Sequence, residues 1–262
     1  MIEDLFSTIV IIGVAIAGLW RKSLTKSGTV AAIFVGLAVY IGFDGAGLVL
    51  LGTFFASSNY WSKYKSTKKR IVEEKLAKGA TRDWRQVMAN GGAAGLFSLL
   101  YYFYPNGLWV VAFVVCLASA NSDTWASEIG SLSRQNPIYI RTFKRIEKGT
   151  SGAISTLGSV AALAGSLLVS IVSFFLFHLG IGLTLLVFLF GYIGNIIDTL
   201  LGAFYQQVYI CKQCGIETEK KHHCHLPTTR IKGFTFVDND MVNFLSGFLA
   251  AILAIGMAQL LV

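Results

Sequence analysis

Eight long apolar segments separated by short polar loops constrain this chain more than any other feature of its sequence. They lie at residues 5–20, 28–43, 45–61, 89–104, 107–120, 152–177, 181–204 and 241–261. A membrane-spanning helix needs roughly 17–25 mostly apolar residues, and the segments are too unbroken for the strands of an outer-membrane barrel. Charged residues make up only 14% of the chain, against about 25% in soluble domains. The sequence therefore predicts an all-α, polytopic integral membrane protein, with residues 1–262 forming one transmembrane domain.

All 22 basic residues fall on one side of this layout. They occupy the loops at 21–26, 63–85, 134–148 and 212–232. Basic loops stay in the cytoplasm, so we expect these four loops there and both termini on the opposite side. The first segment begins with Glu3 and Asp4 and lacks a basic leader, which favours a permanent span over a cleaved signal peptide. A basic cytoplasmic face would also attract anionic lipid head groups and phosphorylated substrates.

Polar residues accumulate at the end of the second basic loop, in KGATRDWRQVMANGG at residues 78–92. One interpretation is a charged loop whose Trp84 anchors the next helix at the membrane surface. The alternative is that Arg82 and Arg85 bind phosphates while Asn90, at the membrane boundary, contributes to a polar site.

The fifth segment continues into a polar run, NSDTWASE, at residues 121–128. On a continuing helix Asp123 shares a face with Ser127, and Asn121 shares one with Glu128. Carboxylates near the end of a span are costly unless they face water, a metal or a partner. A helix cap with a solvated loop is the simpler interpretation, whereas two acids so close together indicate a functional site.

A glycine-rich turn follows in the same loop, where Lys148, Gly149, Thr150, Ser151 and Gly152 precede the sixth segment. Backbone N–H groups at the positive end of a helix can hold a phosphate. Thr150 and Ser151 are also ordinary helix caps, and no Walker spacing is present. A phosphate beside Asp123 and Glu128 would imply Mg²⁺ between them.

Two further spans carry polar residues. In the seventh, Asn195 and Asp198 share one face with Gly202, where they could form a buried structural hydrogen bond or a metal or base site. At the start of the last, Asp238 and Asp240 suit a helix N-terminus. Two amides on that helix share a face and extend the polar stripe into the membrane, Asn239 and Asn243.

The loop at 205–240 contains three of the four cysteines of the chain. Cys211 and Cys214 form a CxxC pair, and Cys224 lies in a cluster with His222, His223 and His225. Three thiolates and an imidazole suit tetrahedral Zn²⁺, and disulfides are unexpected on a reducing face. We predict a structural Zn²⁺ site formed by Cys211, Cys214, His222 and Cys224. The remaining cysteine, Cys116, is expected to pack inside the fifth span.

The motifs resemble those of one membrane-protein family when they are taken together and in order. They are RDWRQVMANGG, ANSDTWASEIGSLS with the following IYIRTFKRIEKGTSGAIS, GNIIDTLLGA with Gln206, and CKQCGIETE, HHC and TRIKGFTFVDNDMVN. The family, long of unknown function, contains transmembrane protein nineteen and the phytyl-phosphate kinase of photosynthetic organisms. A distant likeness to dolichol kinases and CDP-diacylglycerol synthases points the same way.

The resemblance implies transfer of a phosphoryl group from a nucleoside triphosphate, with CTP the expected donor, to a prenyl monophosphate such as phytyl or geranylgeranyl phosphate. Such chemistry needs Mg²⁺, cationic donors and a well-placed acceptor. We assign Asp123, Glu128 and Asp198 to metal binding or acceptor activation. Phosphates would be held by Arg82, Arg85, Lys148 and Gly149–Gly152, and oriented by Asn90, Asn121, Asn195, Asn239 and Asn243.

Two other functions stay open at this point. A transporter or flippase of lipid phosphates would also place polar residues within helices, although near the bilayer midplane. A cytidylyltransferase that forms a CDP-lipid would use the same Mg²⁺ and phosphate-binding groups. For the kinase the expected partners are membrane lipids, a prenyl phosphate and a nucleoside triphosphate, without nucleic acid; homo-oligomerisation stays open.

Overall fold

The computed structural model describes residues 2–260, except for the side chains at positions 2, 66, 68, 70, 71 and 73. Helices dominate this part of the chain. They are α1 (Ile2–Trp20), α2 (Lys26–Lys63), α3 (Ser66–Lys75), α4 (Trp84–Phe103), α5 (Gly107–Gly130), α6 (Thr156–Leu176), α7 (Ile181–Phe204) and α8 (Asn239–Ala258). The predicted all-α, membrane-spanning architecture is confirmed.

Helix α2 consists of two antiparallel halves, because the chain reverses at Asp44. This residue takes φ 49° and ψ −145°, which interrupts the helix. The side chain of Lys63, at the end of α2, donates hydrogen bonds to the Arg21 carbonyl at 2.7 Å and to the Ser23 hydroxyl at 3.0 Å. The end of α2 therefore lies beside its start, and the predicted spans 28–43 and 45–61 are its two halves.

Six of the described helices are long and apolar enough to cross a membrane, namely α1, α2, α5, α6, α7 and α8. Helix α4 is more polar but packs inside the same bundle, with Gly42 of α2 directly against the Ser98 carbonyl. Counting the halves of α2 separately, eight helical segments run through the bundle. The polar helix α3 is an additional element in the second basic loop that the sequence analysis did not predict.

Helix α5 lies at the centre of the bundle and contacts α2, α4, α6, α7 and α8. Small residues allow these close approaches. A methyl group on Gly194 of α7 would overlap the Ser119 side chain, and one on Gly165 of α6 would lie 3.0 Å from the Asn121 carbonyl. Small interfacial residues are typical of helix pairs in membranes, where association depends on van der Waals packing and interhelical hydrogen bonds.

The loops between helices contain short antiparallel strands. They are β1 (Ile138–Tyr139), β2 (Ala153–Ile154), β3 (Val208–Ile210), β4 (Glu217–Thr218), β5 (His222–His223), β6 (Leu226–Pro227) and β7 (Thr229–Lys232). β1 pairs with β2, β5 pairs with β6, and β3 lies between β4 and β7. All of them lie at one end of the bundle, which we call the basic end and which is formed by the connections at 21–25, 64–83, 131–155 and 205–238.

Several helix boundaries differ from the predicted ones. Helix α5 continues to Gly130 instead of residue 120, so Asp123 and Glu128 are helical, as the continuing-helix interpretation requires. Helix α6 begins at Thr156, capped by Ser155, because Ala153 and Ile154 pair with β1. Helix α8 ends at Ala258, and residue 261 lies outside the described residues.

Candidate functional site

A cavity of about 350 Å³ opens at the basic end, between the ends of α4, α5, α6, α7 and α8. The structure brings most of the predicted site residues to its wall. They are Arg82, Asn90, Asp123, Glu128, Lys148, Gly149, Thr150, Ser151, Gly152, Asn195, Asp198, Asn239 and Asn243. Residues from five separate stretches of sequence therefore form one site, which no single motif could have established.

Asp123 of α5 and Asp198 of α7 face each other closely enough for a hydrogen bond between their carboxyl groups. Uncharged donors surround them. Asn195 Nδ2 donates to Asp123 Oδ1 at 3.1 Å, and the Ser246 hydroxyl donates to Asp198 Oδ2 at 3.0 Å. With its amide oriented by hydrogen bonding, Asn243 Nδ2 also donates to Asp198 at 3.1 Å.

Neither Asp123 nor Asp198 forms an ion pair with another described residue. Two adjacent carboxyl groups within membrane helices are unfavourable when both are ionised, unless a cation lies between them. Oxygen ligands on neighbouring helices are what Mg²⁺ prefers. The pair and the amides around it therefore form a donor set that could hold a divalent cation.

The third predicted acid, Glu128, already has a cationic partner. Lys69 of α3 is only 3% exposed, and its Nζ lies 2.5 Å from Glu128 Oε2 and 2.6 Å from the Trp61 carbonyl. Lys69 lines the cavity but did not emerge from the sequence, because it lies in a polar helix 59 residues away from Glu128. Glu128 thus holds a cation at the wall of the site.

A second lysine, Lys78, also lines the cavity. Its Nζ lies 2.5 Å from Asp240 Oδ2 and 2.8 Å from Asp83 Oδ2. Burial alone would raise the pKa of Asp83, but hydrogen bonds from Lys78 and from the Gln86 N–H lower it below its usual value. Asp83 also caps α4 through a reciprocal bond with Gln86. Lys78 is the first residue of the KGATRDW motif, and this motif could have indicated that Lys78 belongs to the site.

Arg82 is held at the cavity by its backbone. Its N–H donates to the Ser23 carbonyl at 2.9 Å, and its own carbonyl accepts from the Thr25 N–H at 3.0 Å. The guanidinium lies 5.8 Å from the centre of the Phe54 ring and 5.9 Å from that of Phe55. A planar cation supported in this way is suited to binding phosphate oxygens.

The glycine-rich turn is not at the start of a helix, contrary to the prediction. Gly149 and Gly152 take φ of 81° and 85°, and β2 follows before α6 begins. A side chain on Gly152 would overlap the backbone of Ala203 in α7, so a residue with Cβ does not fit there. The N-terminus of α6 nevertheless reaches the cavity four residues later, through Ser155, Gly158 and Ser159.

Charges along the described cavity wall are unequal. The carboxylates are Asp123, Glu128, Asp198, Glu219, Asp238 and Asp240, and the cations are Lys69, Lys78, Arg82 and Lys148. The acidic side chains outnumber the basic ones, six to four. A divalent cation held by these oxygen ligands would balance the excess.

Two predicted phosphate-binding residues lie outside the cavity wall. Arg85 points to the start of α8, where its Nη2 lies 2.6 Å from Asp238 Oδ2. Asn121 is fully buried between helices, accepting from Ser57 at 2.8 Å and donating to the Gly165 carbonyl at 2.8 Å. In both cases the polar side chain has a hydrogen-bonding or ionic partner on another helix or at its start.

Glu219 is a cavity residue that sequence reasoning missed. Its carboxylate accepts from Gln206 Nε2 at 2.7 Å and from the Ala77 N–H at 3.2 Å. Burial raises the pKa of Glu219 above its usual value. Gln206 in turn accepts from the Ser151 hydroxyl at 2.6 Å, so it connects Glu219 with the glycine-rich turn. Gln206 entered the sequence analysis only through the family resemblance.

The cysteine-rich loop lies at the edge of this end of the bundle. Ligand atoms of Cys211, Cys214, His223 and Cys224 all lie within 4.8 Å of one another. The structure thus brings together the three predicted cysteines, but it places His223 instead of His222 beside them. Neighbouring residues of a strand point to opposite faces, and in β5 it is His223 that faces the thiols.

The membrane-spanning helices and the carboxylate-rich cavity place this chain in one class of protein. It is an integral membrane protein with a polar site at one end of its spans. The chain matches the family model described as "Integral membrane protein DUF92" over residues 9–251. The protein therefore belongs to this family of integral membrane proteins.

Curated relatives are similar over most of the chain. Protein PGR of Arabidopsis thaliana is 31% identical, covering 95% of this chain and 94% of its own length. An uncharacterized membrane protein of Methanocaldococcus jannaschii is 34% identical, covering 78% of this chain and 84% of its own. Protein VTE6, chloroplastic, of Arabidopsis thaliana is 26% identical, covering 90% of this chain and 66% of its own. No solved structure matches the chain.

Proposed function

We propose that this protein is a membrane kinase that transfers a phosphoryl group from a nucleoside triphosphate, with CTP the expected donor, to a prenyl monophosphate such as phytyl or geranylgeranyl phosphate. The observation that carries this proposal is the Asp123 and Asp198 pair. These carboxylates face each other and pair with no cation among the described side chains, in a cavity that cations and a glycine-rich turn also line. The family resemblance supplies the substrate class.

The carboxylate pair, together with the amides around it, is the donor set that we assign to Mg²⁺. When bound there, Mg²⁺ would neutralise charge on the phosphates. Asn195, Asn243 and Ser246 orient the two carboxylates from α7 and α8. Because the carboxylates and the side chains that orient them lie on packed helices, the carboxylates would need little reorganisation to bind a metal ion.

Cationic groups on the other walls would bind the phosphates. Arg82 and Lys69 approach from the second basic loop, and Lys148 approaches from the loop after α5. In the proposed reaction an oxygen of the prenyl monophosphate attacks the terminal phosphorus of the nucleotide. The bond to the nucleoside diphosphate breaks, and a prenyl diphosphate forms. Fixed cations stabilise the charge on the transferring group without rearrangement.

The two alternatives have different structural requirements. A transporter or flippase needs a site near the bilayer midplane that is reachable from both sides, whereas this cavity is formed by the helix ends at the basic end. A cytidylyltransferase needs the same groups as a kinase, so geometry does not separate the two. The products of the reaction do.

Product analysis tests the proposal. Purified protein with Mg²⁺, labelled CTP or ATP, and either phytyl or geranylgeranyl monophosphate is expected to yield a nucleoside diphosphate and a prenyl diphosphate. Release of pyrophosphate with a CDP-linked prenyl product would instead identify a cytidylyltransferase. If no nucleotide is consumed with any prenyl phosphate, the enzymatic proposal is wrong. Samples with a chelator in place of Mg²⁺ provide the background.

We also propose that the basic end, and with it the cavity, faces the cytoplasm, because all 22 Lys and Arg residues lie at this end of the spans. A protease site inserted after Phe143, in an exposed basic-end loop, should resist protease added outside intact cells. The same insertion after Asn106, at the opposite end, should be cut. Cleavage only at the Phe143 insertion would reverse the proposed orientation.

A further inference from the structure

The loop between α7 and α8 holds three cysteines and a histidine that take no part in the cavity wall. The Cys214 sulfur lies 3.4 Å from His223 Nδ1, and the Cys224 sulfur lies 3.2 Å from the same nitrogen. All four cysteines of the chain are free thiols. A tetrahedral zinc ion with bonds of about 2.3 Å to sulfur and about 2.0 Å to nitrogen needs ligand atoms roughly 3.5–3.8 Å apart.

We propose that Cys211, Cys214, His223 and Cys224 form a structural Zn²⁺ site. Three thiolates and one imidazole are soft ligands that select Zn²⁺ over Mg²⁺. Four protein ligands also leave no open position for substrate, so the site is structural and not catalytic.

Backbone groups of this loop are arranged around the cysteines. The Cys211 sulfur lies 3.7 Å from the His223 carbonyl oxygen, so the first ligand lies directly against the residue that carries the imidazole. The Gly215 N–H donates to the Cys211 carbonyl at 2.8 Å, which closes the turn between the first two ligands. On the other side, Cys224 takes a φ of 50° in the turn between β5 and β6.

The loop has little apolar core of its own. Val208, Tyr209 and Val237 are buried, whereas Leu226, Ile231, Phe234 and Phe236 are exposed, and the longest strand, β7, has four residues. A segment that buries so little apolar surface needs another source of stability, and metal binding provides it in small domains. The zinc ion would therefore supplement the few apolar side chains that this loop buries.

The same loop connects the cysteines with the cavity. Strand β3 leads to Cys211 and pairs with β4. Thr218 of β4 donates its hydroxyl to the Lys75 carbonyl at 2.7 Å, and the Glu219 N–H donates to that carbonyl at 2.9 Å. Residue 75 lies three residues before Lys78, which lines the cavity and forms an ion pair with Asp240. The zinc site would thus position Glu219 and Lys78, a consequence that rests on the proposed function.

Metal analysis of the full-length protein tests the site independently of any activity. Protein purified in detergent with a thiol reductant is expected to contain about one zinc ion per chain. Cys214→Ser and His223→Gln should each lower the zinc content at least about threefold, because each removes one of four ligands. His222→Gln is the matched control and should keep its zinc, since the neighbouring ring lies outside the cluster.

A second measurement covers the case in which the variants fail to fold. Wild-type protein treated with an organomercurial reagent should release its zinc in proportion to the thiols that react, and cleavage of residues 226–236 by protease should then accelerate. Zinc-free wild-type protein would overturn the proposal, as would a Cys211 to Cys214 disulfide or equal zinc loss in His222→Gln and His223→Gln. Zinc without kinase activity would leave this site standing and refute the proposed function instead.

Discussion

Replacing Asp123 with asparagine is expected to lower phosphoryl transfer at least ~100-fold, which corresponds to about 2.7 kcal/mol of transition-state stabilisation. Asparagine has nearly the same size and keeps the carbonyl oxygen that accepts from Asn195. It removes the negative charge that a Mg²⁺ ligand needs. Steady-state kinetics with Mg²⁺, nucleotide and prenyl phosphate provide the measurement, on protein that remains monodisperse in detergent.

Asp198→Asn should have a similar effect, because its carboxyl group adjoins that of Asp123. If both bind one metal cluster, the double variant should lose less activity than the product of the two single losses. Asp44→Asn is the matched control, since Asp44 lies in the turn at the opposite end and asparagine tolerates its positive φ. Its activity should stay within about twofold of wild type, since substitutions away from a site have small effects.

A structural Asp123 predicts a different result. The asparagine variant would then show a lower yield or a lower unfolding temperature, with near-normal turnover in the protein that survives. That outcome would remove the centre of the proposed site and would make the transporter the better explanation of a polar cavity.

The spans and their order could be predicted from the sequence because apolar length and the position of basic residues are local properties. Asp44 illustrates this, since a single acidic residue between two apolar segments marked the reversal within α2. Helix boundaries depend on partners elsewhere and were less accurate. The start of α6 moved because Ala153 and Ile154 pair with β1, and α3 was missed because a polar helix has no apolar stripe to detect.

The candidate site could be predicted in part for the same reason. A carboxylate within a span is energetically costly, so the sequence alone identifies Asp123 and Asp198 as candidate site residues. Lys69 and Lys78 were not predicted, since a lysine in a basic loop is not distinctive until its partner is known. Lys78 and Asp240 are 162 residues apart. Asn121 shows the converse, because an amide in a span can also be hydrogen-bonded by neighbouring helices.

The buried pair of Lys69 and Glu128 leads to the second large effect. Lys69→Met should lower the free energy of unfolding by about 3 kcal/mol, because removing one partner of a buried ion pair leaves the other charge uncompensated. The Lys69 side chain is 4% exposed and that of Glu128 is 23% exposed, so water can relieve only part of this cost. Unfolding of the purified protein in detergent, followed by circular dichroism, gives the measurement.

The double variant Lys69→Met with Glu128→Gln separates stability from function. Removing both charges should recover most of the lost stability, since an apolar or neutral pair often replaces a buried ion pair at little cost. Lys144→Met, an exposed lysine at the same end of the bundle, should change stability by no more than about 0.5 kcal/mol. If the Lys69 and Glu128 pair contributes to phosphate or metal binding, the stable double variant will remain at least ~10-fold less active than wild type, because both charged groups are missing. Wild-type turnover in that variant would show instead that Lys69 only holds α3 against α5, and phosphate binding would then depend on Arg82 and Lys148.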